Sequence, residues 1–82
     1  MFKCEGENVL IFVSFYSGLP LTFQWEKDGT PIGTNNDSIL INSVATADSG
    51  VYICTVTNSI GSTVSLPITL TIDFHGIILP LL

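Results

Sequence analysis

Seven consecutive residues constrain this chain more than any others: Asp48-Ser49-Gly50-Val51-Tyr52-Ile53-Cys54. The side chains of Asp48 and Ser49 can accept hydrogen bonds from turn amides, and Gly50 relaxes the backbone, so the stretch reads as a sharp corner entering a strand. Beyond the corner, Tyr52, Cys54 and Val56 alternate with Val51, Ile53 and Thr55. That period of two turns one face, carrying Tyr, Cys and Val, toward a core. Trp25, on an earlier strand, is the large side chain expected to meet it there.

The rest of the chain supplies strands to match. Val9 to Phe15 forms the first convincing one, with Val9, Ile11, Val13 and Phe15 facing one way, and residues 1–7 hold at most a short edge strand. Leu21 to Lys27 follows, with Leu21, Phe23 and Trp25 inward. The pair Asp28-Gly29 suits a tight hairpin turn, after which Pro31-Ile32 starts a short return. Ser38 to Asn42 brings Ile39 and Ile41 inward, and Val44 anchors the next connection. Thr63 to Ile72 reads as one last strand, with Val64, Leu66, Ile68, Leu70 and Ile72 inward and Pro67 marking a bulge or an edge. Short strands separated by turn signals, with no helical period of useful length, predict an all-β sandwich of two antiparallel sheets.

Eighty-two residues allow one small domain, which buries only about 60% of its unfolded surface. Residues 1–73 are expected to form it, with its first strand truncated, and 74–82 an apolar tail or linker. That tail is far short of the roughly 20 residues that span a bilayer, so its alternative is the start of an interrupted membrane segment. The N-terminus shows no secretory leader pattern. Only two basic and seven acidic residues are present and none is Arg. A net charge of −5 argues against nucleic acid and anionic membranes as partners.

Taken together, Trp25-Glu26-Lys27-Asp28-Gly29, Ile39-Leu40-Ile41 with Val44, Asp48 to Cys54, and Asn58-Ser59-Ile60-Gly61 resemble the immunoglobulin superfamily, over roughly residues 5–72. The Tyr placed two residues before a core Cys, with an upstream Trp, carries most of that likeness. The short run from Ile32 to Ile39 leaves no room for the two extra strands of a variable-type domain, so the resemblance is to the short I-set or C2-like form, a Greek-key sandwich. In family members with an inter-sheet disulfide, its first Cys lies twelve residues ahead of the Trp, where this chain has Val13. The disulfide is therefore expected to be missing, a loss that typically costs about 2–5 kcal/mol. Two readings stand for the thiols: a Cys4–Cys54 bond, which needs Cα atoms within about 7 Å, or two free thiols with Cys54 a small buried hydrophobe. Family members often pair the Asp at position 48 with a basic residue. Lys3 and Lys27 are poorly placed for that, so Asp48 is expected to accept corner amides instead.

Reactive chemistry is not expected. His75 is the one histidine and lies outside the sandwich, with no Cys or carboxylate set to complete a metal site. Cys54 lacks a neighbouring cation to lower its pKa, and no nucleophile–base pair or phosphate-binding loop can be assembled. No cofactor and no small-molecule substrate are implied. One motif bears on location: Asn36-Asp37-Ser38 fits the N-glycosylation acceptor pattern in an expected surface loop, a pattern that also arises by chance.

The expected function is protein recognition or adhesion by a module of a cell-surface or secreted protein, through protein–protein contact and beside neighbouring immunoglobulin-like domains. Two surfaces compete for the contact: the loops Ser17–Pro20, Asp28–Ile32, Thr34–Asp37 and Asn58–Ser62, or a sheet face built from Gln24, Glu26, Thr55 and Thr57. The alternative is a structural spacer in a tandem array of muscle or bacterial-surface type, to which two unpaired thiols are better suited.

Overall fold

The computed structural model of the chain describes residues 1–15 and 17–73. The expected tail, 74–82, and with it His75, lies outside the described residues. The longest strand, β6 (Gly50–Thr57), sits at the centre of the architecture. Its burial alternates as its sequence does: Tyr52, Cys54 and Val56 are buried, and the residues between them are not. On one side β6 pairs antiparallel with β3 (Thr22–Lys27), bringing Trp25 opposite Cys54. β3 turns into β4 (Thr30–Ile32) through Asp28 and Gly29, whose φ values are 51° and 84°. Two successive positive φ values make the tight hairpin turn that an Asp-Gly pair favours.

On its other side β6 pairs with two strands in succession, β7 (Ser62–Val64) and β8 (Ile68–Asp73). β8 in turn pairs with β1 (Phe2–Cys4), the one parallel pair of the sheet, whose order is β1-β8-β6-β3-β4 with β7 also on β6. A second, two-stranded sheet joins β2 (Val9–Phe12) to β5 (Ser38–Ile41). A 3-10 turn at Thr46–Asp48 leads from β5 toward β6. The core lies between the sheets, with Val9, Ile11 and Val13 from one layer against Trp25, Tyr52, Cys54, Val56, Leu70 and Ile72 from the other. Ile39 and Ile41 pack on it as expected, and Val44 is buried beside them.

The structure departs from the sequence reading in two places. The first strand ends at Phe12, and although Val13 is still buried, Phe15 is 39% exposed. The expected single strand from Thr63 to Ile72 is two strands with a bulge between them. Cys54 pairs with Ser65 through the bond from Ser65 N to Cys54 O (2.8 Å), whereas Tyr52 pairs with Ile68, so Ile53 faces two residues, Leu66 and Pro67. One extra residue reverses which side chains face inward. Val64 and Leu66, expected in the core, are therefore exposed, while Ile68, Leu70 and Ile72 turn in. Of the two readings for the thiols the structure has the second: Cys4 and Cys54 are both free, with no bond between them and no inter-sheet disulfide. Cys4 is held at the sheet edge opposite Asp73, whereas Cys54 is in the centre of β6. Lys27 reaches the corner through the Ala47 carbonyl, as described below.

Candidate interaction surfaces

The corner residues are tied together by a small set of bonds. Tyr52 is buried and its hydroxyl donates to the Asp48 carbonyl at 2.6 Å, closing the corner over four residues. One Asp48 carboxylate oxygen accepts the Ala45 N–H at 2.8 Å, the amide-accepting role expected for it. Ser49 Oγ accepts the N–H of Ile72, fastening the corner to β8. Lys27, opposite Tyr52 on β3, donates from Nζ to the Ala47 carbonyl at 2.7 Å. Its long side chain reaches along the sheet end to a backbone carbonyl and not to the Asp48 carboxylate, which keeps its amide-accepting role.

Gly50 is required for space rather than for backbone freedom. Its φ is not among the positive values, but a Cβ added there would stand 2.6 Å from Asp28 Oδ2. That carboxylate is in turn fixed by the Val51 N–H, which it accepts at 2.9 Å through Oδ1. Asp28 thus belongs to the corner as well as to the hairpin, a double use that its Asp-Gly context signals only in part.

Burial of the Tyr52 phenol pushes its pKa above the ordinary value, and the nearby carboxylates of Asp48 and then Asp28 push the same way. Burial likewise raises the Cys54 thiol, against a lowering hydrogen bond from the Gln24 backbone. A protonated, fully buried thiol is a packing group and a poor nucleophile. Among the described residues no three His, Cys, Asp or Glu side chains are grouped to hold a metal ion.

Trp25 is completely buried and spends its one polar group on the loop ahead of β5: Nε1 donates to the Asn36 carbonyl at 2.8 Å. Asn35 reaches the same region from the other side, its Oδ1 accepting the Phe23 N–H at 2.7 Å. The loop is therefore pinned through its backbone, and the Asn36 side chain is left exposed. At the opposite turn, Asn58 Oδ1 accepts the amides of both Ile60 and Gly61, which lifts Ile60 to 84% exposure.

The candidate sheet face is the outer side of β3, β6 and β7. Gln24, Thr55 and Val64 stand in one cross-strand row, with Thr22, Thr57 and Ser62 in the row two residues along. Glu26 stands beside Ile53 further down the face. Val64 is 60% and Leu66 85% exposed at its edge, placed there by the bulge. Ser65, which sequence reading placed outward without a role, holds that bulge: its Oγ accepts the Cys54 N–H at 3.0 Å in place of a ladder carbonyl.

With this geometry in view, the chain can be set beside known proteins. A family model described as immunoglobulin domain matches residues 2–72. Protein turtle of Drosophila melanogaster is 32% identical over 88% of this chain, and the cell adhesion molecule DSCAML1 of Homo sapiens is 38% identical over 70% of it. The chain spans only 6% and 3% of the length of those two relatives. Among solved structures, the N-terminal four Ig domains of Dscam1 isoform 1.9 superpose with a TM-score of 0.78 at 30% identity, over 89% of this chain and 18% of that one. Sidekick-1 immunoglobulin domains 1–5 superpose with a TM-score of 0.82 over 88% of this chain and 16% of that one, a likeness in fold at 22% identity.

Proposed function

The chain belongs to the immunoglobulin domain family, and on that premise we propose that it is a non-catalytic recognition and adhesion module of a cell-surface or secreted protein. It acts by protein–protein contact and stands beside neighbouring immunoglobulin-like domains of a longer chain. A relative that is a cell adhesion molecule, and structural neighbours with several such domains in one chain, support this reading. The short I-set or C2-like form is supported by the five-residue gap, 33–37, between β4 and β5. The bulge at Ser65–Pro67 is the observation that carries the choice of surface. It takes Val64 and Leu66 out of the core and sets them at the rim of a flat face of Thr and Gln side chains in which Glu26 is the one charge. Apolar anchors beside uncharged polar groups are what a protein partner can desolvate at low cost.

The test is a binding screen of the domain, displayed as a dimeric fusion, against extracellular proteins, with Val64→Glu as the probe. Burying a carboxylate in that contact should reduce binding at least tenfold, about 1.4 kcal/mol, while the melting temperature is unchanged because Val64 is exposed. Binding that survives Val64→Glu at full strength removes the sheet face from consideration. A spacer in a tandem array is the second reading, favoured by the two free thiols; it predicts no Val64-dependent partner at all.

A further inference from the structure

We propose that Asn36 carries an N-linked glycan whose first N-acetylglucosamine lies in the cleft beside the free edge of β5, so that sugar covers that edge. The proposal rests on the secretory reading above. The asparagines of this chain divide by what their amides do. Asn8, Asn35 and Asn58 each use Oδ1 to accept a backbone N–H, and so are consumed by the fold. Among the described residues Asn36 and Asn42 make no such bond, and of these two only Asn36 has a hydroxyl residue, Ser38, two positions on. The amide that satisfies the acceptor pattern is therefore also one the structure leaves free.

The surroundings of Asn36 suit a sugar. Its backbone is held from beneath by Trp25 Nε1, so a linked residue starts from a fixed anchor. A cleft of about 320 Å³ opens beside it, lined by Gly33, Thr34, Asn36, Ser38, Ile39 and Leu40. Among the described residues β5 pairs with β2 alone, so its other edge is open. The bond from Val13 N to Asp37 O sets the alternation along that pair. Asp37, Ile39 and Ile41 bond toward β2, which leaves the N–H and C=O of Ser38 and Leu40 pointing to the open edge. Neither β2 nor β5 carries a charged residue or a Pro to discourage another strand from adding there. A sugar ring offers hydroxyls to those backbone groups and an apolar face to Leu40, which is 61% exposed.

The modification itself is a glycosyl transfer from a lipid-linked diphosphate oligosaccharide. A bond forms between Asn36 Nδ2 and the sugar C1, the amide nitrogen gives up one proton, and the lipid diphosphate leaves with the electron pair of the C1–O bond. To test the proposal, the 82-residue chain is produced behind a secretory leader in insect cells. Intact mass is then read on secreted and retained protein, before and after peptide N-glycosidase. A glycan mass on the parent chain, lost in both Asn36→Gln and Ser38→Ala, is the expected result. Both variants keep the Asn36 carbonyl that accepts from Trp25 Nε1, and Ser38→Ala also leaves the Asn36 amide unchanged, so it guards against an effect of the Asn36 substitution itself. Hydrogen exchange then reads the seating: protection of the Ser38 and Leu40 amides should be lost on enzymatic deglycosylation. A bare Asn36 overturns the site, and unchanged exchange overturns its place in the cleft. Either failure leaves Val64-dependent binding intact, whereas failure of the secretory reading removes that binding whatever Asn36 carries.

Discussion

Installing a bond where the chain has none, by the substitution Val13→Cys, tests the packing of this sandwich most directly. Val13 is 8% exposed, continues β2 in register through its bond to Asp37, and belongs to the same buried cluster as Cys54. If the two side chains face one another across the layers, a Cys at position 13 meets Cys54 within the reach a disulfide requires. Positions 13 and 54 are 41 residues apart in sequence. Closing a loop of that size removes chain entropy worth about 4 kcal/mol from the unfolded state. Exchanging Val for Cys gives back about 1 kcal/mol in lost apolar burial. The net gain of about 2–3 kcal/mol corresponds to a rise in melting temperature of roughly 10–20 °C for a domain of this size. The assay is calorimetry of the oxidised and reduced variant, with Cys4→Ser included so that only one pairing can form, and alkylation followed by mass measurement. Two alkylated thiols in the oxidised protein, with no shift in melting temperature, would refute the facing arrangement.

Two further substitutions probe the corner. Tyr52→Phe removes the bond to the Asp48 carbonyl and should cost about 1 kcal/mol. It should also change the response to alkali. Because the folded pKa of Tyr52 is raised, the folded chain keeps a proton that the unfolded chain releases near pH 10, so this contribution is whole below about pH 10 and is lost as pH rises through the folded value. Denaturant titrations across that range should therefore show a flatter decline in Tyr52→Phe than in the parent, and parallel declines would contradict the assignment. Gly50→Ala places a methyl group 2.6 Å from Asp28 Oδ2 and displaces the carboxylate from the Val51 amide. A loss of about 1–3 kcal/mol is expected, shrinking to near zero on an Asp28→Gly background, where the carboxylate is gone and the positive φ remains accessible. Equal losses in both backgrounds would show that Gly50 is needed for some other reason.

Much of this architecture is legible in the residues because local and global preferences agree. The alternation of Tyr52, Cys54 and Val56 appears in the burial of β6 residue by residue. Asp28-Gly29 specifies its own turn, and Ile39, Ile41 and Val44 fall where their periodicity places them. The reading failed where a single residue changes the phase. Val64, Leu66, Ile68, Leu70 and Ile72 form an unbroken apolar alternation in sequence, and nothing in that alternation says that two of them face water. Pro67 did signal an interruption, but whether it makes a bulge or an edge depends on the hydroxyl of Ser65 taking the Cys54 amide, a contact across strands. Lys27 and Asp28 reach the corner from a hairpin more than twenty positions away from Val51, through contacts that exist only once β3 and β6 are paired. The outward face of Gln24, Thr55 and Thr57 was readable from parity alone, whereas its apolar rim was not.

The parallel pairing of β1 with β8 has a mechanical meaning. The chain enters at the Met1 end of β1 and leaves at the Asp73 end of β8, at opposite ends of the same pair. Tension applied along the chain therefore slides the two strands past each other. The bonds from Thr71 N to Met1 O and from Glu5 N to Asp73 O lie across that motion and share the load, so they fail together instead of opening one after another. A domain with its ends on neighbouring parallel strands resists stretching by shear.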